Sequence, residues 1–134
     1  MTEIKMLTKI SLLIYGLVCT LYGVMTVFLT EMILTTLGLP MDLIYPRMLG
    51  GIFFTIAIFD FLILIKKDWD WEYIKFGWFL LYAMIVSCLV IEGSYFIIYY
   101  PTLTASAIMF HIQDLLIMPI LLILGIVSYM KQKE

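Results

Sequence analysis

Four long apolar stretches run along this chain, separated by short segments that contain most of its charged residues. An α-helix needs roughly 20 apolar residues to cross a typical bilayer, and each stretch is about that long. The pattern predicts transmembrane helices at about residues 10–29, 47–65, 76–98 and 104–129. These spans and their connections use up almost all of the 134 residues, so we expect a single all-α membrane domain, 1–134, built as a four-helix transmembrane bundle.

The connections contain signals that stop and start helices. Gly38 followed by Pro40 predicts a helix stop, because glycine can adopt the left-handed cap conformation and proline cannot continue the helix. Pro46 suits the first turn of a new helix, where its missing N–H costs nothing. The segment before it is apolar enough to lie in the membrane interface. Residues 66–75, KKDWDWEYIK, mix aromatic and charged side chains, which is typical of an anchor lying on the membrane surface.

Basic residues are distributed unevenly between the connecting segments. Segments outside the spans alternate between the two sides of the membrane. Seven of the eight Lys and Arg residues fall in or next to the first, third and fifth segments, which share one side, and only Arg47 lies by the second. The seven are Lys5, Lys9, Lys66, Lys67, Lys75, Lys131 and Lys133. Basic residues are retained on the cytoplasmic side during membrane insertion. The asymmetry therefore predicts a multi-pass protein of the plasma membrane with both termini in the cytoplasm.

Composition agrees with a membrane protein. Hydrophobic residues make up 64% of the chain, charged residues only 13%, and the mean hydropathy is +1.10. These values lie outside the usual range of a soluble domain. No basic stripe is present to neutralise phosphates, which excludes nucleic acid as a partner. The expected surroundings are the lipid bilayer.

Three residues that are costly to place in lipid lie inside the predicted spans: Glu92 in the third, and His111 and Asp114 in the fourth. Counted from the outer ends of the spans, they lie roughly 9, 10 and 15 Å deep. Arg47, at the outer end of the second span, has a side chain long enough to reach the same layer. Such groups usually face the bundle interior and have a partner. We therefore expect the four to form one polar layer in the outer half of the membrane.

Two tyrosines extend this candidate site. Tyr95 shares a helix face with Glu92, and Tyr22 lies on a weakly polar stripe of the first span. Gly16 and Gly23 flank that stripe, so it has a second explanation as a helix-packing face. The candidate ligand-binding residues are Arg47, Glu92, His111, Asp114, Tyr95 and Tyr22.

The polar layer allows more than one interpretation. It can be an ion-pair cluster that only fixes helix packing, the polar end of a ligand pocket, or part of a proton path. Charge balance needs His111 least, because Arg47 can pair with the carboxylates without it. Asp60 is interpreted separately, as a structural residue that pairs with Lys66 near the inner surface.

Motifs for catalysis or cofactors are absent from the sequence. There is no nucleophile elbow, P-loop, HExxH or Gly-rich dinucleotide fingerprint. A single histidine cannot supply both axial ligands of a haem within one chain. With Glu92 and Asp114 it would make at most a three-ligand metal site, and a charge-balanced cluster explains the same residues. We expect no metal and no cofactor, and the sequence favours a non-enzymatic role.

The first half of the chain resembles the small four-span bacterial and archaeal proteins that include the DoxX-like and BphX-like families. The resemblance is carried by Gly16 and Gly23 in the first span, a connection ending in Leu-Gly-Leu-Pro, and the run Arg47-Met-Leu-Gly50-Gly51 that opens the second. It covers about residues 10–65. It implies the fold, the topology and a prokaryotic source, and no activity.

The sequence as a whole predicts an accessory or lipophilic-ligand-binding membrane protein with a polar pocket in the outer half of the bilayer. Its expected partners are a lipophilic small molecule such as a quinone, further copies of the chain, or a larger membrane complex. The alternative is a proton-coupled small-molecule transporter or channel that acts as an oligomer. A membrane-embedded isomerase or oxidoreductase is a third class.

Overall fold

A computed structural model of the chain describes residues 3–39, 41, 43–66 and 70–133, and every regular element in these ranges is helical. Four of the helices are long and apolar enough to cross a membrane. The elements are α1 (Met6–Phe28), α2 (Thr30–Leu37), α3 (Ile44–Ile65), α4 (Trp71–Tyr99), a 3-10 turn (Tyr100–Thr102) and α5 (Ala105–Lys133). The all-α, four-span prediction is confirmed at this level, and the membrane orientation of the chain stays a prediction.

Two helix boundaries follow the sequence signals, and others lie outside the predicted spans. Gly38 ends α2 in the left-handed conformation, with φ of 69°, and its N–H donates to carbonyls of the preceding turn. Pro46 lies in the first turn of α3. In contrast, α1 begins at Met6 rather than near residue 10 and α5 continues to Lys133 rather than ending near residue 129. The α4 helix begins at Trp71 rather than near residue 76. Asp70 caps this earlier start by accepting a 3.2 Å hydrogen bond from the Glu72 N–H, so residues 71–75 are helix and not a separate surface anchor.

The described residues form two compact units, one made of residues 3–8 and 70–133 and the other of residues 9–66. In the second unit, α1 and α3 approach closely where glycines meet larger side chains. Gly16 lies against the ring of Phe61, and Gly23 lies against the ring of Phe54. A Cβ on Gly50 would collide with Thr26 and Val27. Small residues at a helix interface allow this close packing in lipid.

Asp60 differs from its prediction. Its side chain is buried, and Oδ2 has no hydrogen-bond partner among the described residues. The predicted pairing with Lys66 is therefore not formed. The prediction used only the distance along the helix from Asp60 to Lys66. It did not include burial by neighbouring helices, which shields the carboxyl group.

The other unit contains α4 and α5, which lie side by side. Gly125 of α5 is a point of close approach, because a Cβ there would overlap the hydroxyl and ring of Tyr82. An apolar groove of about 250 Å³ lies on this part of the helix pair. We call it the aromatic groove; it is lined by Trp78, Phe79, Tyr82, Leu122, Gly125, Ile126 and Tyr129.

Gln132 ties the start of the chain to the end of α5. Its carboxamide oxygen accepts hydrogen bonds from the Lys5 N–H and the Thr8 hydroxyl, both at 2.9 Å. Its amide nitrogen donates to the Glu3 carbonyl, also at 2.9 Å. The Lys5 ammonium adds a 2.8 Å bond to the carbonyl of Lys131. The first described residues therefore lie against the last turn of the fourth span.

Candidate functional site

The candidate site is built on the facing surfaces of α4 and α5. Glu92 of α4 and His111 of α5 contact each other directly through Oε1 and Nδ1. Because a carboxylate and an imidazole are both costly to leave unpaired in lipid, their contact satisfies two groups at once. The structure thus brings together two of the residues that the depth estimate placed in one layer.

Aromatic rings surround the imidazole. The ring centroid of Tyr95 lies 5.2 Å from that of His111, and the Phe96 centroid lies 6.1 Å away. Phe110, the residue before His111, adds an edge contact at 6.4 Å. We call Glu92, Tyr95, Phe96 and His111 the histidine cluster. The rings fix the plane of the imidazole, and the carboxylate fixes its rotation.

The two imidazole nitrogens have different environments. Nδ1 faces Glu92, whereas Nε2 is buried and has no hydrogen-bond partner among the described residues. A carboxylate can only accept, so its contact favours the tautomer that has the proton on Nδ1. In the neutral ring Nε2 then offers a lone pair, and in the imidazolium it offers an N–H. Buried polar atoms in proteins usually form a hydrogen bond, so Nε2 is expected to have a partner.

Exposure differs between the two partners, which bears on access. The side chain of His111 is 9% exposed, whereas that of Glu92 is 25% exposed. Glu92 is therefore the more accessible member of the pair, and the imidazole is the more shielded one.

Asp114 and Cys88 adjoin the histidine cluster. The thiol of Cys88, one turn before Glu92 on α4, lies within electrostatic range of the carboxyl groups of both Glu92 and Asp114. Asp114 is half-buried and lies one turn beyond His111 on α5. Three residues of the predicted layer, Glu92, His111 and Asp114, therefore lie on this helix pair.

Arg47 and Tyr22, the other predicted site residues, belong to the unit of residues 9–66. Arg47 lies in the first turn of α3 with an exposed side chain, and Tyr22 is buried in α1 with its ring 5.6 Å from that of Phe53. The contact with Phe53 supports the packing explanation for the Tyr22 stripe. Pairing of Arg47 with a carboxylate of the other unit stays a prediction.

Sequence reasoning missed the two phenylalanines that contact His111. Phe96 lies four residues after Glu92, so a helical wheel places it on the same face. An aromatic residue one turn from an intramembrane carboxylate was the available signal. Phe110 has no such signal, because its contact with His111 is an edge contact between neighbours in sequence.

In the ranges that the structure describes, no three His, Cys, Asp or Glu side chains are arranged to hold a metal ion.

No protein-family model, curated protein or solved structure matches this chain. The resemblance to the DoxX-like and BphX-like families therefore stays a prediction.

Proposed function

We propose that this small polytopic membrane protein binds a lipophilic molecule whose polar head group is a hydroxyl or a carbonyl, with a quinol or quinone as the best chemical fit. The observation that carries the proposal is Nε2 of His111, a buried polar atom in a fixed ring with no partner among the described residues. The role is binding or accessory, and no catalytic step is assigned to it.

The ligand class follows from the chemistry of the two nitrogens. With Nδ1 turned to Glu92, a neutral His111 accepts a hydrogen bond at Nε2, which matches the hydroxyl of a quinol. A protonated His111 donates from the same atom, which matches a quinone carbonyl. The surrounding rings of Tyr95 and Phe96 supply an apolar, stackable surface. Few polar groups in an apolar site are the usual composition of a ligand pocket.

Membrane orientation forms part of the proposal. We place both termini in the cytoplasm and the protein in the plasma membrane, because seven of eight basic residues fall in or next to the first, third and fifth segments. The contacts of Gln132 with Glu3, Lys5 and Thr8 support placing both ends on one side. The histidine cluster then lies in the outer half of the bilayer.

The ligand test compares two substitutions of one residue. In His111→Asn the amide can still donate to Glu92 but nothing occupies the position of Nε2, whereas in His111→Gln an amide can reach that position. The probe is a short-chain quinone and its quinol, added to the protein in detergent. Ligand at 100 times its Kd should raise the stability of the original chain by about 2.7 kcal/mol. His111→Asn should lose most of this gain, and His111→Gln should keep part of it.

The control is Gln113→Asn, which changes an exposed amide on the same helix. It should respond to quinone and quinol as the original chain does. The proposal is wrong if neither probe stabilises the original chain, or if His111→Asn is stabilised as much as Gln113→Asn.

A second candidate function is proton-coupled transport by an oligomer. The observation in its favour is that Cys88, Glu92, His111 and Asp114 form a run of ionisable groups on one helix pair. Intramembrane groups of this kind mark proton relays. Proteoliposomes with an internal pH dye distinguish the two functions: transport requires proton flux that Asp114→Asn reduces, and simple binding gives none.

A further inference from the structure

The aromatic groove and the basic residues beside it suggest a second binding site, at the opposite end of α4 and α5 from the histidine cluster. Its wall includes the rings of Trp78, Phe79, Tyr82 and Tyr129. Its volume of about 250 Å³ is below the roughly 300–1,000 Å³ of pockets for compact ligands. An elongated apolar chain suits such a groove better than a drug-sized molecule.

Two lysines converge on one wall residue of this groove. The Lys133 ammonium lies 4.9 Å from the centroid of the Tyr129 ring. Lys75 of α4 lies one helical turn from both Trp71 and Phe79, and the rings of these two residues lie 6.0 and 5.3 Å from that of Tyr129. The Phe79 ring packs on Tyr129 at 5.3 Å, so the cationic and apolar parts of the site are continuous.

Of the two lysines, only Lys75 has an ion-pair partner among the described residues. Glu72 forms a 3.0 Å ion pair with Lys75, and both side chains are partly exposed. Exposed pairs of this kind are weak, so an anion that contacts both lysines can compete with Glu72 for Lys75. In the part of the chain that the structure describes, Lys133 contacts the Tyr129 ring and no carboxylate. Its charge therefore remains available to an anion at the mouth of the groove.

We infer that the aromatic groove binds one acyl chain of an anionic phospholipid, with the lipid phosphate held between Lys75 and Lys133. Tryptophan, tyrosine and lysine together are typical of the membrane–water interface. The site thus has its aromatic wall in the acyl region and its ammonium groups at headgroup level. Basic residues near an anionic lipid surface attract it electrostatically. The inference needs only that α4 and α5 span the membrane, and it is independent of the ligand proposed for His111.

Bromine-labelled lipids test the site directly, because bromine on an acyl chain quenches nearby tryptophan fluorescence and Trp78 lines the groove. The full chain is reconstituted in phosphatidylcholine vesicles that contain a small fraction of either brominated phosphatidylglycerol or brominated phosphatidylcholine. Phosphatidylglycerol should quench at a much lower mole fraction. Each lysine lost should weaken this selectivity roughly fivefold, so Lys75→Gln/Lys133→Gln should nearly abolish it.

The matched control is Lys66→Gln, an exposed lysine at the end of α3, which should leave the selectivity unchanged. Equal quenching by the two brominated lipids would overturn the inference. So would full selectivity in the double variant, or equal loss in the control. Inorganic phosphate added at 50-fold excess over lipid should not remove the selectivity; if it does, the site binds free phosphate and not a lipid.

Discussion

The histidine cluster and the aromatic groove lie on the same pair of helices and are built by opposite means. His111 and Gly125 are 14 residues apart on α5, which is roughly 21 Å of helix rise. At the first position, a polar contact holds a ring and leaves one nitrogen of that ring buried without a described partner. At the second, a missing side chain lets Tyr82 approach the helix backbone.

Gly125 and His111 should therefore respond differently to substitution. Close packing at Gly125 contributes to the folded state through shape, because the Tyr82 side chain occupies the space that a Cβ would need. The contact at His111 is directional, and its unused Nε2 favours a ligand. Substitutions of Gly125 should therefore mainly change stability, whereas substitutions in the histidine cluster should change the response to quinone and quinol as well.

The largest effect is expected for Gly125→Ala. The new methyl group would overlap the Tyr82 side chain, and overpacking of this kind costs roughly 1–3 kcal/mol, or more when neighbours cannot move. We expect a loss of about 3 kcal/mol in the free energy of unfolding, measured by denaturant titration in detergent with circular dichroism.

Gly51→Ala is the control for Gly125→Ala, because a Cβ at Gly51 meets no atom within 4 Å. Alanine favours the helix over glycine by about 1 kcal/mol, so Gly51→Ala should be neutral or stabilising. Equal stability of the two variants would contradict the close approach of α4 and α5 at Gly125.

A smaller effect is expected for Glu92→Leu. It leaves the Nδ1–H of His111 buried without an acceptor, at a cost of about 2 kcal/mol. The double variant Glu92→Leu/His111→Leu removes both partners and should recover most of that loss, since apolar replacement of a whole pair is nearly neutral. The same denaturant titration measures both. Glu31→Leu, at an exposed carboxylate of α2, is the matched control and should change little.

If the double variant is as stable as the original chain and still responds to quinone and quinol, the histidine cluster is not the ligand site. If it remains as unstable as Glu92→Leu, the Glu92–His111 contact does not explain the loss. Either result would contradict the proposed difference between a packing contact at Gly125 and a ligand-binding polar contact at His111.

The smallest effect is expected for Gln132→Leu, which removes hydrogen bonds to Glu3, Lys5 and Thr8. Hydrogen bonds in membrane proteins contribute on average about 0.6 kcal/mol each, and part of this set is solvated, so we expect a total loss of about 1 kcal/mol. Hydrogen exchange should rise at residues 3–8 and remain unchanged in the histidine cluster. Gln113→Leu, at the exposed glutamine of α5, should leave exchange at residues 3–8 unchanged. Unchanged exchange in Gln132→Leu would show that other contacts hold these residues.

The sequence was sufficient for features that depend on local chemistry. The four spans follow from the length of the apolar runs, and the end of α2 follows from the conformational freedom of Gly38. Depth counting placed Glu92 and His111 in one layer, but the pairing expected from the sequence was Arg47 with a carboxylate. The direct contact of Glu92 with His111 is known only from the structure, because it depends on which faces of α4 and α5 meet.

Features that depend on partners distant in sequence could not be predicted. Gln132 lies beyond the apolar run of the last span, and its partners precede it by more than 120 residues. The closeness of Gly125 to Tyr82 depends on how α4 and α5 are rotated, which the weakly amphipathic pattern of these helices leaves open. The early start of α4 was missed because the charges of Glu72 and Lys75 indicated a loop, whereas they form an ion pair one turn apart on the helix.

The contacts of Gln132 also have a consequence for biosynthesis. Residues 3–8 are synthesised more than 120 residues before Gln132, whose side chain holds them. During insertion the first helix must therefore lie in the bilayer without these contacts until Gln132 has been made. A chain whose synthesis is paused before residue 132 should leave residues 3–8 accessible to a protease, and resumed synthesis through residue 132 should protect them.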